Sequence, residues 1–104
     1  MYNVFMITKL DEKNFDEYTK SGLKVVEFFA EWCGYCKMQK PILEEMEKVN
    51  IGQIDAEKSP SIARKFNVNG FPTMIIMKNG NEVDRLVGFH SKYHIMNVVM
   101  KYLK

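Results

Sequence analysis

From Asn3 to Ile7 the chain is β-prone and mostly apolar, and polar Thr8 and Lys9 bound it as a short first strand. Asp11 to Lys20 carries acids in its opening turns, sets Phe15 and Tyr18 at helical spacing, and is followed by Ser21-Gly22, the start and stop signals of a helix. Lys24 to Ala30, KVVEFFA, is a nearly continuous apolar run, short enough for a strand buried on both faces. Glu27 is its one interruption. After a cluster of special residues, Met38, Ile42, Met46 and Val49 recur every three or four positions with Glu44, Glu45, Glu47 and Lys48 between them, which predicts an amphipathic helix interrupted in its hydrogen bonding at Pro41.

A short strand is predicted from Asn50 to Asp55, then a helix from about Ser61 to Phe66 opened by Ser59-Pro60. Thr73 to Met77, the turn Asn79-Gly80 and the alternating Glu82 to Val87 form a hairpin signal. Ser91 to Leu103 closes the chain as a helix with Ile95, Val98, Val99, Tyr102 and Leu103 on one face. The order βαβαβαββα predicts an α/β fold whose sheet is parallel where helices separate the strands and antiparallel at the terminal hairpin.

Composition narrows this picture without redirecting it. At 104 residues, 46% hydrophobic and 27% charged, the chain fits one globular domain over 1–104. Lys and Arg number 15 against 13 Asp and Glu, so a formal charge of +2 gives no basic surface for nucleic acid. No run approaches the roughly 18 apolar residues of a membrane span, and the opening MYNVFMITKLDEK lacks the basic start of a signal peptide. The expected setting is cytoplasmic. The eight methionines fall mostly on apolar faces and are expected to fill core.

The chemistry is concentrated in EFFAEWCGYCKMQKP, Glu27 to Pro41, which holds both cysteines and the only tryptophan. Cys33 and Cys36 stand where the buried strand gives way to a helix. Backbone N–H groups there lack partners and the macrodipole leaves partial positive charge, so Cys33 is expected to ionise more readily than a free cysteine. In a reducing compartment such a pair is metal-binding or catalytic more often than structural. The C-x-x-C spacing closes a small ring, with Cys33 expected to meet solvent and Cys36 to lie behind it. Disulfide exchange uses that asymmetry: Cys33 attacks a substrate disulfide, and Cys36 then attacks Cys33 and frees the reduced substrate.

With those residues in place, the chain resembles the thioredoxin family along essentially its whole length. WCGYCK at 32–37 is similar to the family's active-site hexapeptide, which usually has proline where Tyr35 stands; Phe71-Pro72-Thr73 with Lys78-Asn79-Gly80 resembles the segment containing its cis-proline; Gly88 matches its late glycine. The resemblance implies a thioredoxin fold, with a central mixed five-stranded sheet flanked by four helices. It implies Cys33 as nucleophile, Cys36 as resolving thiol, and a cis Pro72 that leaves the backbone of Phe71 free to pair with an extended substrate. Trp32, Gly70, Val87 and Gly88 would complete a shallow docking surface. The partners implied are disulfide-containing protein substrates and a flavin-containing thioredoxin reductase as electron donor; the protein itself is expected to be a monomer without organic cofactor or metal.

Three positions depart from the family pattern, Tyr35 among them. Glu27 stands where the family has a buried acid, usually aspartate, and Gln53 where many members have a lysine paired with it. An unpaired carboxylate in a buried strand is costly, so Glu27 is expected to be protonated near neutral pH or solvated by water, and to accept the Cys36 proton during resolution. Gly34 and Tyr35, between the thiols, are expected to tune the redox poise, with tyrosine making it more oxidising. Two further readings compete. Cys33 and Cys36 with His90 and His94 supply a zinc-like ligand set, but the histidines lie far along the chain from the cysteines. A domain of this fold also serves as a binding module or a subunit of a larger complex.

Overall fold

The computed structural model describes residues 7–103. Its elements run β1 (Ile7–Leu10), α1 (Phe15–Thr19), β2 (Leu23–Phe29), α2 (Gly34–Glu44), β3 (Asn50–Asp55), α3 (Pro60–Lys65), β4 (Thr73–Lys78), β5 (Asn81–Val87) and α4 (Lys92–Met100). The five strands form one sheet in the order β1-β3-β2-β4-β5. β3 pairs in parallel with both β1 and β2, whereas β4 is antiparallel to β2 and to β5. The expected mixed sheet with four helices is thus present.

β2 lies at the centre, and its period-2 alternation splits the core. Val25 joins Ile51, Met74, Ile76 and the α2 and α4 residues Leu43, Ile95, Val98 and Val99 on one face. Val26 and Phe28 join Ile54, Ile75 and Met77 with Phe15 of α1 and Ile62 of α3 on the other. Glu27 shares the alternation of Val25, which places its carboxyl on the α2 side. The loop joining β4 to β5 has Asn79 at φ 50° and Gly80 at φ 84°, the left-handed pair of a two-residue hairpin turn. A bulge follows: Ile76 faces Asp84 and Met77 faces Glu82, so Val83 is the extra residue.

Three boundaries differ from the sequence reading. The Asn3–Met6 part of the expected first strand lies outside the described residues; from Ile7 the strand continues through Thr8 and Lys9 to Leu10, polar residues suited to an edge strand. The first helix begins later than Asp11, because the Asp11 side chain accepts from the backbone N–H groups of Lys13 and Asn14 at 2.8 and 3.1 Å and holds that stretch as a turn. The face of α2 is also different. Cys36, Gln39 and Leu43 are buried while Met38 is 54% exposed; Met46 and Val49 are buried too, but beyond the end of the helix. α4 stops at Met100, which leaves Leu103 on the surface.

This division between core and surface predicts the cost of truncation. Ile95→Ala, at a fully buried position, is expected to lower unfolding free energy by about 2–5 kcal/mol, and Leu103→Ala by less than about 0.5 kcal/mol. Urea denaturation of the two variants checks the contrast.

Candidate active site

The end of β2 leads directly into the cap of α2, and Cys33 is that cap. Its backbone is extended at φ −80° and ψ 116°, and its Sγ accepts the backbone N–H of Cys36 at 3.1 Å. A sulfur here does what the oxygen of serine or aspartate does at other helix starts. The same Sγ lies 3.5 Å from the carbonyl oxygen of Phe71, to which a Cys33 thiol donates. The Phe71–Pro72 peptide is cis. Two segments distant in sequence therefore meet at one sulfur.

The surrounding surface gathers the other expected residues. Trp32 is 65% exposed, turns its ring edge-on to Phe71 at 5.9 Å, and donates its indole N–H to Glu57 at 2.8 Å. Gly88 donates its backbone N–H to the carbonyl of Pro72 at 2.7 Å, in a conformation, φ 90°, that L side chains rarely adopt. Gly70 lies beside Val87, since a methyl built on Gly70 would sit 3.7 Å from its side chain. Val87 and Tyr35 are among the most exposed apolar side chains. Gly34 is exposed too, and a methyl added there would meet nothing within 4 Å. The expected contrast in accessibility between the thiols is not seen: Cys33 is 5% exposed and Cys36 7%. Cys33 is covered by Phe71 and by its own helix, so what separates the sulfurs is their bonding and surroundings.

Cys36 and Glu27 line the same cavity. The carboxyl is 1% exposed; Oε1 accepts from Gln53 Nε2 at 2.8 Å, across the β2–β3 register that pairs the two residues, and Oε2 has no hydrogen-bond partner. Burial pushes the Glu27 carboxyl up from its ordinary 4.5 to about 7, with the Gln53 bond acting in the opposite direction. Burial also raises the Cys36 thiol, and its hydrogen bond with Cys33 and the charges of Cys33 and Glu27 raise it further. Glu27, Gln53 and Cys36 line a common cavity of about 480 Å³ with Lys37, Lys40 and Asp55. The arrangement can hold a proton next to Cys36 and lose it near neutral pH.

His90 and His94 contact each other, Nδ1 to Nδ1 at 2.8 Å. Among the described residues no group of three or more His, Cys, Asp or Glu side chains could hold a metal ion, so the cysteine pair and the histidine pair form no shared site. Two contributors escaped the sequence reading. Glu57 carried no signal of its contact with Trp32. Gln39 did carry one: it lies one helical turn from Cys36 and so on the same buried face, but its polarity hid it from a search for apolar periodicity.

The Thioredoxin family model matches residues 6–101 of the chain. The chain belongs to the thioredoxin family. Among its relatives, thioredoxin from Staphylococcus haemolyticus is 44% identical over 93% of this chain and 98% of the relative, and thioredoxin from Chlamydia pneumoniae is 42% identical over 93% and 99%. Of solved structures, Malassezia sympodialis thioredoxin aligns with a TM-score of 0.87 at 23% identity, and a mutant thioredoxin from Halobacterium salinarum with 0.89 at 21%; each alignment covers 100% of this chain and 96% of the other. At those identities the structures speak for the fold. Family membership, with two cysteines at the start of α2, makes this thioredoxin-family protein a thiol-disulfide oxidoreductase, and its family acts on disulfide-containing proteins.

The position of Glu27 has a consequence for stability. Between pH 4.5 and about 7 the folded protein keeps a proton that the unfolded chain has released, so stability falls as pH rises through that window. Glu27→Gln is expected to flatten that fall, worth on the order of 3 kcal/mol at most, in denaturation curves recorded from pH 4 to 8.

Proposed function

We propose that this protein, as a single domain over 1–104, reduces disulfides in other proteins, with Cys33 as nucleophile and Cys36 as resolving thiol. The observation that carries this reading is the position of the Cys33 sulfur, which caps α2 through the Cys36 N–H and faces the Phe71 carbonyl just before cis Pro72. The N–H aimed at sulfur fixes Cys33 at the helix start, beside the backbone along which a substrate segment would lie.

In the first step the Cys33 thiolate forms a bond to one substrate sulfur, and the other substrate sulfur leaves as a thiolate. Cys36 then gives up its proton and attacks Cys33 Sγ; the mixed disulfide breaks, the second substrate thiolate departs, and two electrons have passed from the dithiol to the substrate. Glu27 accepts the Cys36 proton, directly or through water in the shared cavity. Its unpartnered Oε2 and its raised affinity for a proton support that role. Trp32, Gly70, Phe71, Pro72, Val87 and Gly88 form the docking surface, along which an extended substrate segment pairs with the backbone of Phe71.

The oxidised protein is returned to the dithiol by a thioredoxin reductase. We place the protein in the cytoplasm as a monomer; no helix among the described residues is long and apolar enough to cross a membrane. Gly34 and Tyr35 set the potential, with tyrosine in place of proline expected to raise it.

Cys36→Ser is expected to accumulate a mixed disulfide between Cys33 and substrate, visible on non-reducing gels, while Cys33→Ser forms none. Resolution in the native protein should accelerate as pH rises through about 7 and Glu27 becomes a base; Glu27→Gln should slow that step roughly 100-fold or more and erase the acceleration. An unchanged pH profile in stopped-flow experiments would remove Glu27 from the mechanism. Equilibration with glutathione is expected to return a potential above the roughly −270 mV of a typical thioredoxin, and a value at or below it would remove the role given to Tyr35.

A further inference from the structure

Gln39 is fully buried, yet it is not spent on packing. Its Nε2 donates to the carbonyl of His90 at 2.9 Å and its Oε1 accepts the backbone N–H of His90 at 2.9 Å. Both ends of the amide are engaged, and the backbone N–H fixes which end is oxygen. One turn beyond Cys36, α2 is therefore fastened to the segment between β5 and α4.

The His90 ring then reaches back along its own segment. Its Nε2 lies 3.0 Å from the carbonyl of Val87. A carbonyl only accepts, so Nε2 carries the hydrogen, and in the neutral ring Nδ1 is left as an acceptor. His94 fills that position with an Nδ1–H at 2.8 Å, while its own backbone N–H is held by Ser91 Oγ at 3.2 Å. The enclosed residues are Val87, Gly88 and Phe89. Val87 is 60% exposed and Phe89 37%, and the Gly88 N–H holds the Pro72 carbonyl. The segment is thus tied to α2 at one end, to the entry of β4 in the middle, and to itself through an imidazole.

We propose that Gln39 and His90 are positioning residues that fix the Val87–Phe89 segment relative to Cys33 and Pro72, and thereby set affinity for protein disulfides as distinct from small ones. This rests on the reading that Val87 and Gly88 belong to the docking surface. A protein substrate lays an extended segment across that surface, whereas a small disulfide need only reach Cys33. Loosening the segment therefore weakens the first far more than the second.

Steady-state kinetics with insulin and with hydroxyethyl disulfide test this. Gln39→Met, which keeps the volume and removes both bonds, and His90→Leu are each expected to raise KM for insulin about tenfold, the scale of one or two lost hydrogen bonds, with kcat and the hydroxyethyl disulfide rate within about twofold of the parent. His90→Gln, which retains an N–H near the position of Nε2, is expected to restore most of the affinity. The double variant should cost less than the product of the two single effects, since both act on one segment. Long-range ¹⁵N spectra of the parent protein should show the Nε2–H tautomer at His90, and the His90 amide should lose its protection from exchange in Gln39→Met. An insulin KM within twofold of the parent in His90→Leu, an equal loss on both substrates, or the Nδ1–H tautomer at His90 would each overturn the proposal. Val87→Asp separates it from the reading beneath it: if Val87→Asp raises the insulin KM and Gln39→Met does not, only the positioning role fails, and if Val87→Asp leaves that KM unmoved, the docking surface and the positioning role fail together.

Discussion

The hydrogen bond from the Cys36 N–H to the Cys33 sulfur decides how the rest of the site is arranged. A helix start has N–H groups without partners, and here one of them is assigned to sulfur instead of oxygen. That choice brings Cys33 to the junction of β2 and α2, where the Phe71 carbonyl closes from the other side. It also turns Cys36 inward, over the strand that carries Glu27. Were α2 to begin one residue later, the first sulfur would lose its N–H and the second its place on the buried face.

Under α2 the apolar core gives way to a short row of polar groups. Glu27 and Gln53 face each other across neighbouring strands on the side where Val25 and Ile51 are packed, and Gln39 comes down from the helix above. Buried polar atoms are tolerated when they have partners, and Gln39 has a partner at each end of its amide. Glu27 has one partner for two oxygens. Its unpartnered Oε2 belongs to a carboxyl that shares a cavity with the thiol that must lose a proton, in surroundings where burial outweighs the stabilising bond and neutral pH is enough to change its charge.

Much of this was legible in the residues. The apolar run around Val25, Val26 and Phe28 gave the central strand, the Asn79-Gly80 pair gave the hairpin and its tight turn, and the C-x-x-C spacing after a buried strand gave the two thiols and their place at a helix start. The register of α2 was not legible, because hydrophobic periodicity assumes that buried means apolar. Met38 looked like core and is exposed; Gln39 falls outside the apolar periodicity and is buried, since what it meets is the backbone of a segment far along the chain. The first helix starts later than its acids suggest for a related reason: an acid at a helix start serves equally as a turn acceptor, and Asp11 takes the N–H groups of Lys13 and Asn14. The relative cover of the two thiols likewise depended on Phe71, which no local pattern could place over Cys33.

The sulfur cap also links folding to electron transfer. Only Gly34 and Tyr35 lie between the cysteines, so joining them closes a very short loop, and the loop entropy favouring the oxidised form is smaller than a long-range bridge would give. The rest of what separates the stabilities of the two forms arises in the folded state, where the sulfur that holds the first turn of α2 is also the sulfur that changes oxidation state. Around a closed cycle of folding and oxidation that difference equals the shift in potential between the folded and unfolded dithiol, about 30 mV for each 1.4 kcal/mol. Any substitution that strengthens the start of α2 in one form only is therefore also a change in redox potential.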